Sequence, residues 1–553
     1  MIASDHLMIA PIVIPFFAGA LTLLYDERQR RAKLGIGLAS CVALLIVGVE
    51  LLNRTKGNGA GGGEISFYLL GDWTAPFGIV LTLDRLAATM LLLAALVALP
   101  ALIYAAAGWH KQGQHFHALF QFLLMGLNGA FLTGDLFNLF VFFEVLLAAS
   151  YGLVLHGSGP ARVRGGLHYI AVNLAASLLF LLGVSLIYGV TGTLNMAHLA
   201  KLVPVLPEVD RPLFRLGAGL LGLAFLVKAG VWPLGFWLPS AYMAAAAPVA
   251  AVFAMLTKVG VYVILRLSML TLAQGTAGEM ATGIAAGGIA PAGTTAQILV
   301  AAGMATVVFG VLGVLASQGL GRMTAHLVLV SSGTLVTMTG LALLGGGAAM
   351  LGGALYYLVA STIAIAALFL LIEPMSREEG GIAALLALTA DAYGIEQPED
   401  DATPEMGLAI PGTLTVLGLV FGACVMVLAG LPPLPGFIGK VAMLRALIGS
   451  GAVPAALGWG VVALLLLAGF ATLIGLARIG IQTFWASEGA VPKVLALEIA
   501  PVIALVLGLG VMTVKGQDTL RFMEDTAQSL LTPSIYADGV LSAPSVEQET
   551  PKE

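Results

Sequence analysis

Charged residues are scarce in this 553-residue chain: they make up 10% of it, against about a quarter of a typical soluble domain. Hydrophobic residues make up 59%, and the mean hydropathy is +0.99. This composition excludes an ordinary soluble enzyme and predicts a membrane protein. The apolar runs are about twenty residues long, which suits helices that cross a hydrocarbon layer of about 30 Å rather than barrel strands of about ten residues.

Cysteine is almost absent as well. Cys41 and Cys424 both lie in apolar runs, far apart in the sequence. They form no CxxC motif, no metal or iron–sulfur spacing and no disulfide framework. The sequence therefore predicts no cofactor and no bound metal, and nucleic acid is not expected as a partner.

The N-terminus resembles a signal peptide in its apolar run but not in its charges. No basic residue precedes the run, and a basic cluster follows it at residues 28–33. The positive-inside rule therefore predicts a retained first helix whose N-terminus lies outside. The predicted spans lie near 6–25, 34–52, 83–106, 115–133, 136–156, 168–190, 213–231, 245–270, 295–316, 323–344, 350–373, 408–430, 455–480 and 495–514. Fourteen spans would place both termini outside.

The chain divides into four parts. Residues 1–110 hold three helices and a Gly-rich segment, 53–82, which is predicted to form an external β-hairpin lid. Residues 111–270 and 294–485 form two groups of five spans, and residues 486–553 hold the last helix and a polar tail that we expect to be disordered from about 531. An acidic connection at 374–407 is placed inside by counting helices.

Two Pro/Gly-rich stretches resemble each other, AGVWPLGFWLPS at 229–240 and AGLPPLPGFIGK at 429–440. Each interrupts a span, the seventh and the twelfth, and shorter helical pieces are expected near 238–244 and 434–448. The two interrupted spans are five spans apart, and an odd number of crossings reverses the direction of the chain. The chain is therefore predicted to contain two inverted five-helix repeats, which are typical of transporters. The alternative is a chance resemblance between two loops. The helix-breaking residues are Gly230, Pro233, Pro432 and Pro433.

Several ionisable residues lie within apolar spans. A charge at the bilayer centre costs about 2.5–3.5 kcal/mol on insertion scales, and such residues are usually functional. The candidates are Glu144, Lys228, Lys258, Lys440 and, near the start of the tenth span, His326. Arg266 and Arg478 lie near span ends and are interpreted as anchors that reach the membrane interface.

Each candidate also has a structural interpretation. Glu144 and Lys228 could form an inert ion pair, Lys258 and Lys440 could reach an interface, and His326 could simply pack. Together, however, these groups suit proton transfer. Burial disfavours the charged lysine and a nearby carboxylate favours it, so the proton affinity of Lys228 would change with its contact to Glu144. Irregular backbone at the breaks is tolerated where it lines a cavity, and it would admit water.

Three motifs closely resemble the D subunit of the multisubunit Mrp-type sodium/proton antiporters. They are TGDLFNLFVFFEVLLAASYG (133–152), VKAGVWPLGFWLPSAYMAAAAPVAAVFAMLTKVGVYVILR (227–266) and AGLPPLPGFIGK (429–440), and GDWTAPFGIVLTLD (71–84) also matches that family's external hairpin. The resemblance extends from about residue 5 to 515. The wider superfamily includes the antiporter-like pumping subunits of respiratory complex I and of membrane-bound hydrogenases.

The resemblance implies an all-α membrane protein of fourteen helices, with inverted repeats and broken seventh and twelfth helices. It assigns proton translocation to Glu144, Lys228, Lys258 and Lys440, and a tenth-helix role to His326. It further implies a transporter subunit rather than an enzyme, in a prokaryotic cytoplasmic membrane. The implied partners are a large A-type subunit and small hydrophobic subunits, with H⁺ and Na⁺, or K⁺ or Li⁺, as the exchanged ions.

Two alternatives stay open. The chain ends soon after span fourteen, which does not fit the superfamily members that carry C-terminal extensions. One complex I subunit without an extension also uses lysine at the position of Lys440, so a pumping subunit of a redox complex is the main alternative. A structural membrane anchor, in which the charges only hold subunits together, is the third.

Overall fold

Helices dominate the computed structural model, which describes residues 6–26, 28–56, 65–272, 292–376, 412–484 and 494–543. The helices are α1 Ala10–Leu24, α2 Arg30–Arg54, α3 Arg85–Ala105, α4 Phe116–Leu132, α5 Leu136–Val154, α6 Pro160–Thr191, α7 Met196–Leu202, α8 Arg211–Lys228, α9 Trp237–Ala244, α10 Ala247–Leu272, α11 Ala292–Ala316, α12 Leu320–Leu343, α13 Gly347–Ser376, α14 Gly412–Ala429, α15 Pro435–Gly449, α16 Ala455–Phe484, α17 Ala496–Val514, α18 Gly516–Leu530 and α19 Pro533–Leu541. The strands are β1 Ser66–Leu69 and β2 Val80–Leu83.

A helix lies in every predicted span. Within the described residues, 11 helices are long and apolar enough to cross a membrane, which confirms the helical membrane architecture. The number of crossings stays a prediction, because the remaining helices are shorter or more polar. Most of the acidic 374–407 connection and of the 271–294 connection lies outside the described residues.

The two breaks occur where the sequence predicts them. α8 ends at Lys228 and α9 begins at Trp237, while α14 ends at Ala429 and α15 begins at Pro435. Gly230 and Gly430 have φ angles of +73° and +82°, in the left-handed region that favours glycine at a helix end. The amides after them donate to carbonyls five residues earlier, at 2.9 Å in the first break and 2.8 Å in the second. The breaks thus share one local geometry, while the inverted relation of the repeats stays a prediction.

β1 and β2 pair in antiparallel fashion, with Ser66 opposite Leu83, within the segment predicted to form a hairpin. Several helices begin beside this hairpin. The Asp84 carboxylate accepts from the Ala87 amide at 2.8 Å, and Asp135 accepts from the Asn138 amide at 2.8 Å. Such N-caps satisfy backbone donors that the first helical turn leaves unpaired. We call this side of the bundle the hairpin end.

The prediction of disorder from about residue 531 is wrong for residues 533–541. These residues form α19, which packs against α7 at the hairpin end. Tyr536 is buried, with its hydroxyl 2.9 Å from the Thr82 hydroxyl, and Lys201 pairs with Asp538 at 2.7 Å. The tail is polar on average, which favoured a prediction of disorder. It nevertheless contains a short row of apolar residues that are buried against the folded bundle.

The centre of the bundle consists of α10, α12 and α13, whose apolar segments are buried almost completely in protein. Small residues allow close packing beside them, as in membrane helix pairs generally. A Cβ on Gly303 of α11 would lie 2.6 Å from the Thr337 amide of α12. The central helices carry Lys258, His326 and several buried hydroxyls, so these groups face protein rather than lipid.

Candidate functional site

Lys228 is the last residue of α8, directly before the first break, and its side chain is 4% exposed. Its Nζ lies 3.4 Å from Ser177 Oγ of α6 and 4.7 Å from the centre of the Phe143 ring of α5. The ammonium can donate to the hydroxyl, and the ring face attracts it. The carbonyls at the end of α8 also favour a cation here.

Glu144 follows Phe143 on α5, so the predicted acid lies near Lys228. The structure does not join the two directly, because Lys228 donates to Ser177 instead. Glu144 Oε1 is buried, and within the described part of the chain it has no hydrogen-bond partner. Leaving a buried acceptor unpaired is costly, so this oxygen can accept from the Lys228 ammonium if that side chain turns away from Ser177.

Lys258 lies in the middle of α10 and is completely buried. Its Nζ donates to Ser331 Oγ of α12 at 2.8 Å and lies 3.5 Å from Ser332 Oγ. Gly260 brings this helix close to the first break, since a Cβ there would lie 2.7 Å from the Ala229 amide nitrogen. The helix that carries Lys258 therefore packs against the break that follows Lys228.

Lys440 lies in α15, just after the second break. Leu428 and Ala429 are the last two residues of α14, and Lys440 Nζ donates to their carbonyls at 2.9 and 3.0 Å. Helix ends leave such carbonyls unpaired, and the ammonium satisfies two of them. Gly430 provides the space, because a Cβ there would lie 2.6 Å from Lys440 Cδ. Lys228 thus contacts a neighbouring helix, whereas Lys440 contacts its own break.

His326 lies apart from these lysines. It is in the second turn of α12, where its Nδ1 bonds to the Arg322 carbonyl at 2.8 Å and its ring packs against Phe309 of α11. The positions on α12 that contact Lys258 are Ser331 and Ser332, five and six residues further along. The predicted role of His326 stays a prediction, without a direct contact to Lys258 in the described structure.

The interpretation of Arg266 as an interface anchor is wrong. Its side chain is buried, and its Nη2 donates to Asp84 Oδ1 at 2.7 Å and to the Tyr262 hydroxyl at 3.1 Å. A second guanidinium nitrogen contacts the other carboxylate oxygen. The acid lies 182 positions earlier in the chain, so the sequence could not indicate the pair. Arg478 instead donates to the Leu315 carbonyl at 3.1 Å, near the end of α11.

Known proteins are similar to this chain in sequence and in fold. The family model described as "NADH:quinone oxidoreductase/Mrp antiporter, TM" matches residues 133–470. The chain belongs to this family. It is 52% identical to the D subunit of a probable K(+)/H(+) antiporter of Rhizobium meliloti (strain 1021), over 98% of both chains, and 34% identical to the D subunit of a Na(+)/H(+) antiporter of Alkalihalophilus pseudofirmus, over 97% of this chain and 99% of that one. A chain of the Mrp complex from Dietzia sp. DQ12-45-1b shares the fold, with a TM-score of 0.78, 24% identity and coverage of 98% of this chain and 100% of that chain.

This family membership makes the chain a multi-pass membrane protein with an antiporter-like fold. The matched segment contains both breaks and every predicted site residue, from Glu144 to Lys440. The relatives align along nearly the whole chain, so the hairpin and the last helices also belong to the shared protein. The resemblance to antiporter D subunits in the sequence is confirmed.

The hydroxyl partners of the lysines were not predicted from the sequence. Ser177 contacts Lys228, and Ser331 and Ser332 contact Lys258. The motif LVLVSSG in the tenth span contained a usable signal, a pair of serines in the middle of an apolar helix. Serine is a weak signal in apolar helices, because its hydroxyl can also bond to a carbonyl of its own helix.

Proposed function

We propose that this chain is the proton-conducting subunit of a multisubunit monovalent cation/proton antiporter. The observation that carries the proposal is a set of three lysines, the buried Lys228 and Lys258 and the half-buried Lys440. Hydroxyl or carbonyl oxygens hold each of them, at a helix break or in the core. Amines in such surroundings can lose and regain a proton as their contacts change. In a subunit that only anchored its partners, apolar residues at these positions would give equal or greater stability than buried charges.

Glu144 and Lys228 form the gate of this mechanism. In the structure the lysine contacts Ser177 while Glu144 Oε1 has no hydrogen-bond partner among the described residues. We propose a second arrangement in which the ammonium pairs with the carboxylate. The pairing would stabilise the charged lysine, and its loss would release a proton towards Lys258.

Lys440 is the proposed terminal proton site. An open cavity of about 550 Å³ lies beside the later part of α15. Its lining includes Ala442, two residues after Lys440, and also Arg445, Gly345 and Glu524. Water in this cavity would exchange protons with the lysine. His326, on the part of α12 away from the hairpin end, is proposed as a peripheral proton site.

The proposed partners are a large A-type subunit and small hydrophobic subunits in a prokaryotic cytoplasmic membrane, with both termini of this chain outside. The exchanged cation is Na⁺ or K⁺. The names of two relatives support both ions, one belonging to a K(+)/H(+) antiporter and the other to a Na(+)/H(+) antiporter. Exchange should therefore be measured with each cation separately.

The test uses the complete set of subunits in inverted membrane vesicles, in which adding Na⁺ or K⁺ discharges a pH gradient. Lys228→Ala and Glu144→Ala should abolish exchange while the subunits still co-purify. Lys201→Ala is the matched control, because that lysine is half exposed and its surface pair with Asp538 contributes about 0–1 kcal/mol. Full exchange by both assembled site variants would refute the mechanism.

A pumping subunit of a redox complex is the second candidate, because the matching family also includes NADH:quinone oxidoreductase subunits. Identification of the co-purifying subunits separates the two. Partners with iron–sulfur or flavin centres would support the redox complex, whereas a set of small hydrophobic subunits without such centres would support the antiporter.

A further inference from the structure

The completely buried ammonium of Lys258 is bound by hydroxyl groups rather than by an acid. Ser331 Oγ accepts from it at 2.8 Å, and within the described residues no carboxylate forms a salt bridge to it. A hydroxyl group carries no negative charge, so its hydrogen bond to an ammonium is weaker than that of a carboxylate. What a hydroxyl adds is the ability to donate and accept at once.

Ser331 has a partner for each of these abilities. Its Oγ lies 2.9 Å from Ser361 Oγ of α13, and both serines are 1% exposed. Ser331 can therefore accept a hydrogen bond from Lys258 and donate its own proton to Ser361. The two serines connect three helices, α10, α12 and α13, across the core of the bundle.

The far end of this connection lies on α13, which packs against α15, the helix of Lys440. α13 and α15 pack in antiparallel fashion: a Cβ on Gly439 would lie 3.1 Å from the Tyr357 amide nitrogen, and one on Gly353 would lie 2.7 Å from the Met443 amide nitrogen. Ser361 lies one helical turn along α13 from Tyr357. Gly439, opposite Tyr357, directly precedes Lys440.

We propose that Ser331 and Ser361 are proton-relay residues between Lys258 and Lys440, an inference that rests on the proposed function. An N–H bond of the Lys258 ammonium breaks as an O–H bond forms on Ser331, whose own proton passes to Ser361. Ser361 in turn releases a proton to water beside α15, and this water protonates the neutral amine of Lys440. Both hydroxyls keep one proton, and rotation about their C–O bonds restores the starting arrangement.

The same α12 contacts explain why a histidine is not required at this step. His326 bonds to a carbonyl of its own helix and packs against α11, whereas Lys258 contacts α12 at Ser331 and, at 3.5 Å, at Ser332. The relay therefore crosses the core through α13 and does not pass through His326.

The experiment compares hydroxyl-free and hydroxyl-retaining variants in the complete complex in vesicles. Ser331→Ala and Ser361→Ala should each slow cation-driven proton exchange about a hundredfold, as expected for loss of a positioned proton-transfer group. The double variant should be no slower than the slower single variant, because both act in one step. Ser331→Thr and Ser361→Thr should keep most of the rate.

Thr362→Ala is the matched control. Thr362 is equally buried and adjacent to Ser361. Both hydroxyls donate to the Leu358 carbonyl of their own helix, at 2.6 Å from Thr362 and 3.3 Å from Ser361, but Ser361 is the one that also bonds to Ser331. Loss of the Thr362 hydroxyl should leave the exchange rate nearly unchanged. If an alanine variant fails to assemble, the corresponding Ser→Cys variant replaces it, since a thiol has a similar shape but is a weak donor.

Two outcomes would overturn the relay. If Ser361→Ala or Ser361→Cys exchanges at the wild-type rate while Ser331→Ala is slow, Ser331 only positions Lys258. If both serines are dispensable while Lys258→Ala abolishes exchange, the proton takes another route and the proposed function survives. An active Lys258→Ala variant would instead reject the proposed function itself.

Discussion

Arg266 and Asp84 form an ion pair inside the protein, with Arg266 Nη2 2.7 Å from Asp84 Oδ1. The pair joins the end of α10 to the start of α3 at the hairpin end. Tyr536 of α19 adds its ring, 5.2 Å from the guanidinium carbon. The helix that carries Lys258 is thus connected to the N-terminal and the C-terminal segments of the chain.

Arg266→Met should destabilise the subunit by about 3–5 kcal/mol, because it leaves the Asp84 carboxylate buried without its charge partner. The double variant Asp84→Asn/Arg266→Met should recover much of the loss, since it removes both charges and keeps an acceptor at the α3 N-cap. Thermal unfolding of the detergent-solubilised complex measures both. Arg54→Ala, at an exposed pair with Glu50, is the control, and equal destabilisation by the two single variants would contradict the prediction.

Gly430→Ala should damage the second break. A side chain at φ +82° is strained by about 1–3 kcal/mol, and its Cβ would lie 2.6 Å from Lys440 Cδ, which displaces the ammonium from the α14 carbonyls. We expect assembly with a strongly reduced exchange rate in vesicles. Gly422→Ala, on the helix that precedes the break and with open space around its Cβ position, should behave like the wild type. Normal exchange by Gly430→Ala would show that Lys440 does not need this position.

Phe143→Leu should weaken the hold on Lys228. The aromatic ring contributes about 2 kcal/mol to binding a desolvated ammonium, and leucine keeps the apolar volume without the charge attraction. We expect slower exchange in vesicles with unchanged complex assembly. Phe137→Leu on the same helix, where the phenyl ring is 48% exposed, is the matched control. Similar exchange rates for the two variants would mean that the ring only fills space.

Tyr536→Ala should loosen the C-terminal helix. The side chain is 4% exposed and bonds to Thr82, and truncation of a buried aromatic residue costs about 3–5 kcal/mol. Limited proteolysis should cleave this variant near residues 531–533 faster than the wild type. Ile535→Ala, next to it but partly exposed, should change little. Equal protection of all three proteins would indicate that α19 is held by other contacts.

The ionisable groups of the apolar spans could be identified from the sequence, but their connections could not. Glu144, Lys228, Lys258 and Lys440 stand out because charge is rare in apolar spans. Their contacts with Ser177, Ser331 and the α14 carbonyls depend on how each helix is rotated against its neighbours. Periodicity within one helix does not contain that information.

The sequence alone determined the apolar helices, the two interruptions and the positions of the lysines relative to them, because hydropathy and the backbone limits of proline and glycine are local properties. Only the tertiary structure decided which oxygen holds each lysine, that Arg266 is paired inside the protein and that residues 533–541 fold onto the hairpin end. These features arise from hydrogen bonds and ion pairs between segments far apart in the chain, and a buried polar group finds its partner only when the helices pack.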